Sequence, residues 1–138
     1  MRITADTNVL VRALVQDDAA QAQIAAELLE TADQVAVPLA VLCERVWVLR
    51  RVYGFGADDC VDAIESLIAC SKVAVDRPGA EAGLSLLRAG GDFADGVIAH
   101  TGMVLGGERL ATFDRRASRL LEAQGLPTLL LRPEARPS

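Results

Sequence analysis

The chain has 138 residues, of which 51% are hydrophobic, and a formal net charge of −5 with an isoelectric point of about 4.8. One domain with a sizeable core is the default at this length. The acidic balance, taken alone, argues against a nucleic-acid binder, which usually carries a basic patch, and no unbroken apolar run reaches the length of a membrane span.

Arg2 to Ala5 reads as a first, buried strand. It ends abruptly in Asp6-Thr7-Asn8, and a short helix, Asn8 to Val15, takes over. Asp17 or Asp18 can cap the next helix, Ala19 to Thr31, whose Ile24, Leu28 and Leu29 recur at helical spacing. Gln34 to Val37 reads as a second strand, closed by Pro38. Leu39 to Tyr53 is the most apolar helix, stopped by Gly54-Phe55-Gly56. Ala57 to Cys70 follows, with Asp58 and Asp59 in its acidic first turn. These two helices are expected to form an antiparallel hairpin.

Lys72 to Val75 reads as a third strand, and Pro78 to Ala89 as a helix broken by Gly90-Gly91. Asp92 or a neighbour then starts a helix from Phe93 to Leu105, with Asp95 in its first turn. Arg109 to Phe113 reads as a fourth strand that stops at Asp114. Arg115 to Gln124 is helical, with Gly125 as its stop signal. Leu126 to Leu131 is a last, short strand, and 132–138 is expected to be a loose tail. Strands alternating with helices imply an α/β fold with a parallel sheet and helices on both faces.

Four carboxylates stand out by position. Asp6 follows the first strand and Asp114 the fourth. Asp95 begins a helix, and Glu44 interrupts an apolar helix face. In open α/β sheets, ligand chemistry gathers beyond the carboxyl ends of the strands. If the first and fourth strands are parallel neighbours, Asp6 and Asp114 leave one edge together. Two carboxylates ~4 Å apart repel by roughly 4 kcal/mol at an effective dielectric near 20. Shared protons, arginines or a divalent cation would offset that. All-oxygen ligands select a hard ion, Mg²⁺ or Mn²⁺. Each acid also has a plainer reading. Asp6, Asp92, Asp95 and Asp114 suit helix starts, and Glu44 with Arg45 suits a solvated face.

Other chemistry finds little footing. Cys43, Cys60 and Cys70 are odd in number and widely spaced, and with the single His100 they make neither a zinc site nor a disulfide framework. They are read as reduced core residues. Trp47 and Tyr53 are read as core or interface side chains, and His100 as a packed or partly exposed one. There is no GxSxG elbow, dinucleotide loop or Walker motif. Of the 14 basic residues only Lys72 is a lysine, which leaves arginines as the candidate phosphate grips. Arg2 and Asp6 fall where the apolar core of an export signal would begin or run, so the chain is expected in the cytoplasm.

Asp6-Thr7-Asn8-Val9-Leu10, then Val37-Pro38 leading into Val41 to Leu49, resemble the PIN-domain toxins of VapC type. Tyr53-Gly54, Asp92-Phe93-Ala94-Asp95-Gly96-Val97-Ile98-Ala99 and Ala111-Thr112-Phe113-Asp114 fit the same pattern, and the resemblance runs from Ile3 to about Leu131. It implies a compact three-layer α/β/α sandwich with a mainly parallel central sheet in a nuclease domain of residues 1–131. The implied activity is a Mg²⁺- or Mn²⁺-dependent endoribonuclease. The acids matching Asp6, Glu44, Asp95 and Asp114 would form the metal pocket, Asn8 and Thr112 would support it, and Asp92 would lie beside it. The family pattern also implies a homodimer held inactive by a cognate antitoxin, laid along an apolar groove near the early helices. Gly96, a poor helix former, departs from the pattern, as does His100.

On this expectation a metal-bound water attacks the RNA phosphodiester, leaving a 5′-phosphate and a 3′-hydroxyl. Arg12, Arg45, Arg115 and Arg116 are candidates to grip flanking phosphates. Two rivals are a non-catalytic module that binds RNA or protein, and a phosphoryl-transfer or receiver domain with Asp6 as acceptor. The second lacks an acid at Asn8 and a late lysine.

Overall fold

The structure, a computed structural model, describes residues 1–133; most of the segment expected to be a loose tail, 132–138, lies outside the described residues. It is a mixed α/β fold with parallel strands. Two compact units divide the chain, one spanning Met1–Ala80 and the other beginning at Glu81.

The first unit holds β1 (Arg2–Thr4), α1 (Thr7–Leu14), α2 (Ala19–Thr31), β2 (Gln34–Ala36), α3 (Leu39–Arg51), α4 (Ala57–Ala69) and β3 (Val73–Ala74). Its strands form one parallel ladder in the order β1-β2-β3, with Ile3 opposite Val35 and Val35 opposite Val73. Parallel neighbours need crossover connections, and the helices supply them. Each helix turns its apolar stripe inward: Leu10 and Val11 from α1, Leu42, Val46 and Leu49 from α3, and Cys60, Ile64 and Ile68 from α4 are buried. The spacing of three and four residues explains why these positions share a face. α3 and α4 pack together, and Gly54, at φ +70°, allows the turn between them.

The helix α5 (Arg77–Arg88) runs from the first unit into the second, which continues with α6 (Phe93–Val104), β4 (Leu110–Thr112), α7 (Arg115–Ala123) and β5 (Thr128–Leu130). β4 and β5 pair in parallel, Ala111 opposite Leu129. Leu86, Ala99 and Leu121 form the buried cluster that joins α5, α6 and α7, with Leu110, Leu120 and Leu126 packed against it. Among the described residues the ladders contain no β1–β4 pairing.

Gly96 has a packing reason that helix propensity hides. A Cβ there would stand 2.4 Å from the Ala82 carbonyl oxygen, so the missing side chain is what lets α6 meet the α5 backbone. The expected weakness of the α6 start is therefore a close helix crossing. The cysteines also divide differently from expectation. Among the described residues none of the three forms a disulfide, but only Cys60 is buried, Cys43 is half-buried, and Cys70 is exposed where α4 ends. Trp47 is 58% exposed on α3. Tyr53 lies beyond that helix, and its hydroxyl donates to Asp17 Oδ2 at 2.9 Å while accepting from Arg12 Nη1 at 3.2 Å.

Candidate functional site

The strand ends and helix starts position the acids. β1 delivers Asp6 to the N-cap of α1, where Oδ1 accepts from the Thr7 amide at 2.7 Å. β4 delivers Asp114 to the N-cap of α7, where Oδ1 accepts from the Ala117 amide at 3.0 Å. Asp92 caps α6 through the Ala94 amide at 3.3 Å. An N-cap acid satisfies one of the orphan amide donors of the first turn and sits at the positive end of the helix dipole. Each cap uses one carboxylate oxygen. Among the described residues the second oxygen of Asp6, Asp92 or Asp114 accepts no hydrogen bond.

In the first unit Asp6 and Glu44 are linked through a residue that the sequence does not single out. Thr7 is buried; its amide donates to Asp6, and its hydroxyl donates to Glu44 Oε1 at 2.7 Å. A hydrogen bond to a charged acceptor fixes a long, exposed side chain that otherwise samples many rotamers. Glu44 is thus held beside the end of β1. Asn8 is exposed on α1 one residue further on. The sequence signal for Thr7 is only a hydroxyl directly after the acid; its partner lies 37 positions away.

In the second unit Asp95 is half-buried in the first turn of α6. Burial raises the pKa of its carboxyl, and the negative charges of Asp92 and Asp114 raise it further. All of these influences act in one direction, and among the described residues no basic group is set against them. Thr112 is also in place there, its hydroxyl accepting from the Asp114 amide at 3.0 Å, which steadies the turn between β4 and α7. The second unit thus brings Asp92, Asp95 and Asp114 into each other's electrostatic field. Among the described residues, however, no three Asp, Glu, His or Cys side chains stand close enough to enclose a metal ion. The donor chemistry still suits a hard divalent cation, because the groups are all oxygen donors.

The arginines separate. Arg12 is committed to Asp17 at 2.8 Å. Arg115 and Arg116 are exposed at the start of α7. Arg45 departs from its expected place at the surface: it is only 5% exposed, on the buried face of α3. One helical step of 100° separates it from Glu44, which is exposed.

Parallel strands, with acids where β1 and β4 end and further acids at helix starts, define a mixed α/β protein. The chain belongs to the PIN domain family, whose model matches residues 3–122, nearly its whole described length. The fold of that family is generally a nuclease fold. A comparison with curated proteins finds no match. No helix among the described residues is long and apolar enough to cross a membrane.

Proposed function

We propose that the protein is a metal-dependent endoribonuclease acting as the toxin of a toxin–antitoxin pair. Asp6, Glu44, Asp95 and Asp114 are the acids that hold Mg²⁺ or Mn²⁺, with Asn8, Asp92 and Thr112 in support. The observation that carries this reading is Asp95, a half-buried carboxylate in the field of two more acids with no cation to offset it. Stability alone gives no reason to keep such a group. When bound, a divalent ion lowers the pKa of a water molecule and neutralises charge on the scissile phosphate.

The chain's own contribution is to fix the acids. Asp6 and Asp114 are pinned by their helix caps, each with one oxygen unused. Thr7 restricts Glu44 by binding Oε1, so that Oε2 is the oxygen left for a ligand. Thr112 holds the Asp114 backbone, and Asp92 deepens the negative field at Asp95. Arg115 and Arg116, exposed beside Asp114, are placed to meet the phosphates of an RNA strand.

The antitoxin side of the reading rests on a second place. A small cleft of about 210 Å³ between α1 and α2 is lined by Val9, Ile24 and Leu28 among others, and Ile24 is 67% exposed. An apolar segment of an antitoxin would bury that surface, and a homodimer would bury more.

The test is cleavage of an RNA pool by the purified protein with Mg²⁺ or Mn²⁺, with chelator, and with Asp6→Asn and Asp95→Asn. Cleavage that needs the ion and both acids is expected. Cleavage that survives chelation and Asp6→Asn overturns the mechanism. Tight RNA binding without cleavage under any divalent ion would make the protein a binding module instead. Growth arrest on expression, relieved by a co-expressed partner, tests the toxin role.

A further inference from the structure

A cavity of about 710 Å³ lies within the first unit, away from the acids at the end of β1. Val35, Phe55 and Leu67 give it an apolar wall, Asp59 and Asp62 line it as exposed acids, and Arg45 lines it as a buried cation. Cavities of roughly 300–1,000 Å³ are the usual size for small-molecule sites.

Arg45 is the anomaly. Its Nε is fully buried and has no hydrogen-bond partner among the described residues. Its Nη1 reaches the Ala63 carbonyl at 3.5 Å, the outer limit of a hydrogen bond. Asp59 and Asp62 line the same cavity, yet among the described residues neither forms an ion pair with it. A buried cation without an anionic partner is strongly unfavourable, and packing of the aliphatic stem alone would be served as well by Met.

We propose that this cavity binds a small monoanionic carboxylate with an apolar body, its carboxylate on the Arg45 guanidinium and its body against the wall of Val35, Phe55 and Leu67. A guanidinium fork matches a carboxylate in shape and charge. Asp59 and Asp62 offset Arg45 and Lys72 around the cavity, so there is no net positive field to favour a doubly charged phosphate, and the apolar wall favours a ligand with an apolar body. This site is separate from the proposed nuclease chemistry and stands or falls without it.

The probes are octanoate, its neutral isostere octanamide, and inorganic phosphate, titrated into the full chain by calorimetry with thermal unfolding in parallel. Octanoate is expected to bind and raise the melting temperature, octanamide to bind about tenfold more weakly or not at all, and phosphate to leave both signals flat. Arg45→Met is expected to abolish the preference for octanoate and to melt no lower than the unaltered protein when ligand-free. Arg45→Lys, which keeps the charge and loses the fork, should weaken octanoate binding without abolishing it. Equal binding of octanoate and octanamide overturns the site, as does a preference that persists in Arg45→Met. Phosphate binding tighter than octanoate overturns the ligand class. The comparison of octanoate with octanamide on the unaltered chain decides the question even if Arg45→Met fails to fold.

Discussion

Replacing Gly96 with Ala should destabilise the protein, although Ala is the better helix former. Removing a glycine from a helix interior ordinarily gains about 1 kcal/mol. Here the new methyl would lie 2.4 Å from the Ala82 oxygen and 3.0 Å from both the Ala82 carbonyl carbon and the Gly83 Cα. Real Cβ atoms essentially never approach within 3.0 Å, so α6 and α5 must part by at least 0.6 Å. The obstacle is backbone, which has no rotamer to yield, and overpacking of this kind costs about 3 kcal/mol at the upper end of its usual range. The net loss is about 2 kcal/mol, or about 8 °C in Tm for a chain of this size. Gly102 supplies the control. It lies in the same helix, and a Cβ there meets nothing within 4 Å. Gly102→Ala should therefore raise Tm, by up to about 4 °C. Thermal unfolding followed by circular dichroism measures both. A Gly96→Ala protein that melts at or above the unaltered one would refute the close crossing and the account of α6 built on it.

Asp95→Asn should stabilise the metal-free protein at neutral pH and remove its response to divalent ions. Because the folded-state pKa of Asp95 is raised, the native state holds that proton more tightly than the unfolded chain does. The stability it contributes therefore falls as pH rises from the unfolded value of 3.8 through the raised folded value, and the penalty is complete above both. Denaturant melts in chelator should show the gain of Asp95→Asn at pH 7 and its disappearance near pH 3; a variant less stable than the parent at pH 7 contradicts the electrostatics. If the acids hold an ion as proposed, millimolar Mg²⁺ or Mn²⁺ should raise Tm in the parent, because a ligand that binds the native state alone stabilises it, and a flat response counts against the site. Thr7→Val keeps the shape and deletes the hydroxyl, so it should cost about 1–2 kcal/mol in urea unfolding and lower RNA cleavage by releasing Glu44; full activity would show that the Thr7 bond does not set Glu44. Asp6→Asn should keep the melting temperature near that of the parent while Asp6→Ala loses about 1 kcal/mol of capping, with cleavage abolished in both; equal stability of the two variants would refute the cap.

The elements were readable because their limits are marked by residues with strong local preferences. Asp18, Asp92 and Asp114 open helices, Pro38 closes a strand, and Gly125, at φ +79°, follows α7. Apolar spacing was a poorer guide to the faces: on α2 it pointed to Ile24, Leu28 and Leu29, yet Ile24 is 67% exposed and the buried residues are Ala22 and Ala25, which pack closely because they are small. The same logic failed on α3, where Val41, Leu42, Val46, Trp47, Val48 and Leu49 surround the helix. With apolar residues on nearly every side, periodicity does not say which of Glu44 and Arg45 faces inward, and the inward one is Arg45. Thr7 was hidden for another reason: its value lies in a hydrogen bond to an element 37 residues distant. Gly96 misled because propensity describes an isolated helix, whereas its position is decided by the neighbouring backbone.

The two readings of the acids, helix cap and metal ligand, are compatible because a carboxylate has two oxygens. In Asp6 and Asp114 one oxygen is spent on an amide of the following helix, and that bond fixes the direction of the other. A free aspartate would lose rotamer entropy when it met a cation; a capping aspartate has lost it on folding. Asp95 has no such bond and carries the burden of burial and of its acidic neighbours. In the second unit a capping acid, Asp114, thus stands in the field of one that burial strains, Asp95, and a divalent cation bound as proposed would relieve chiefly the strained one. This is why Asp95, rather than either capping acid, is the position at which stability and activity should move in opposite directions.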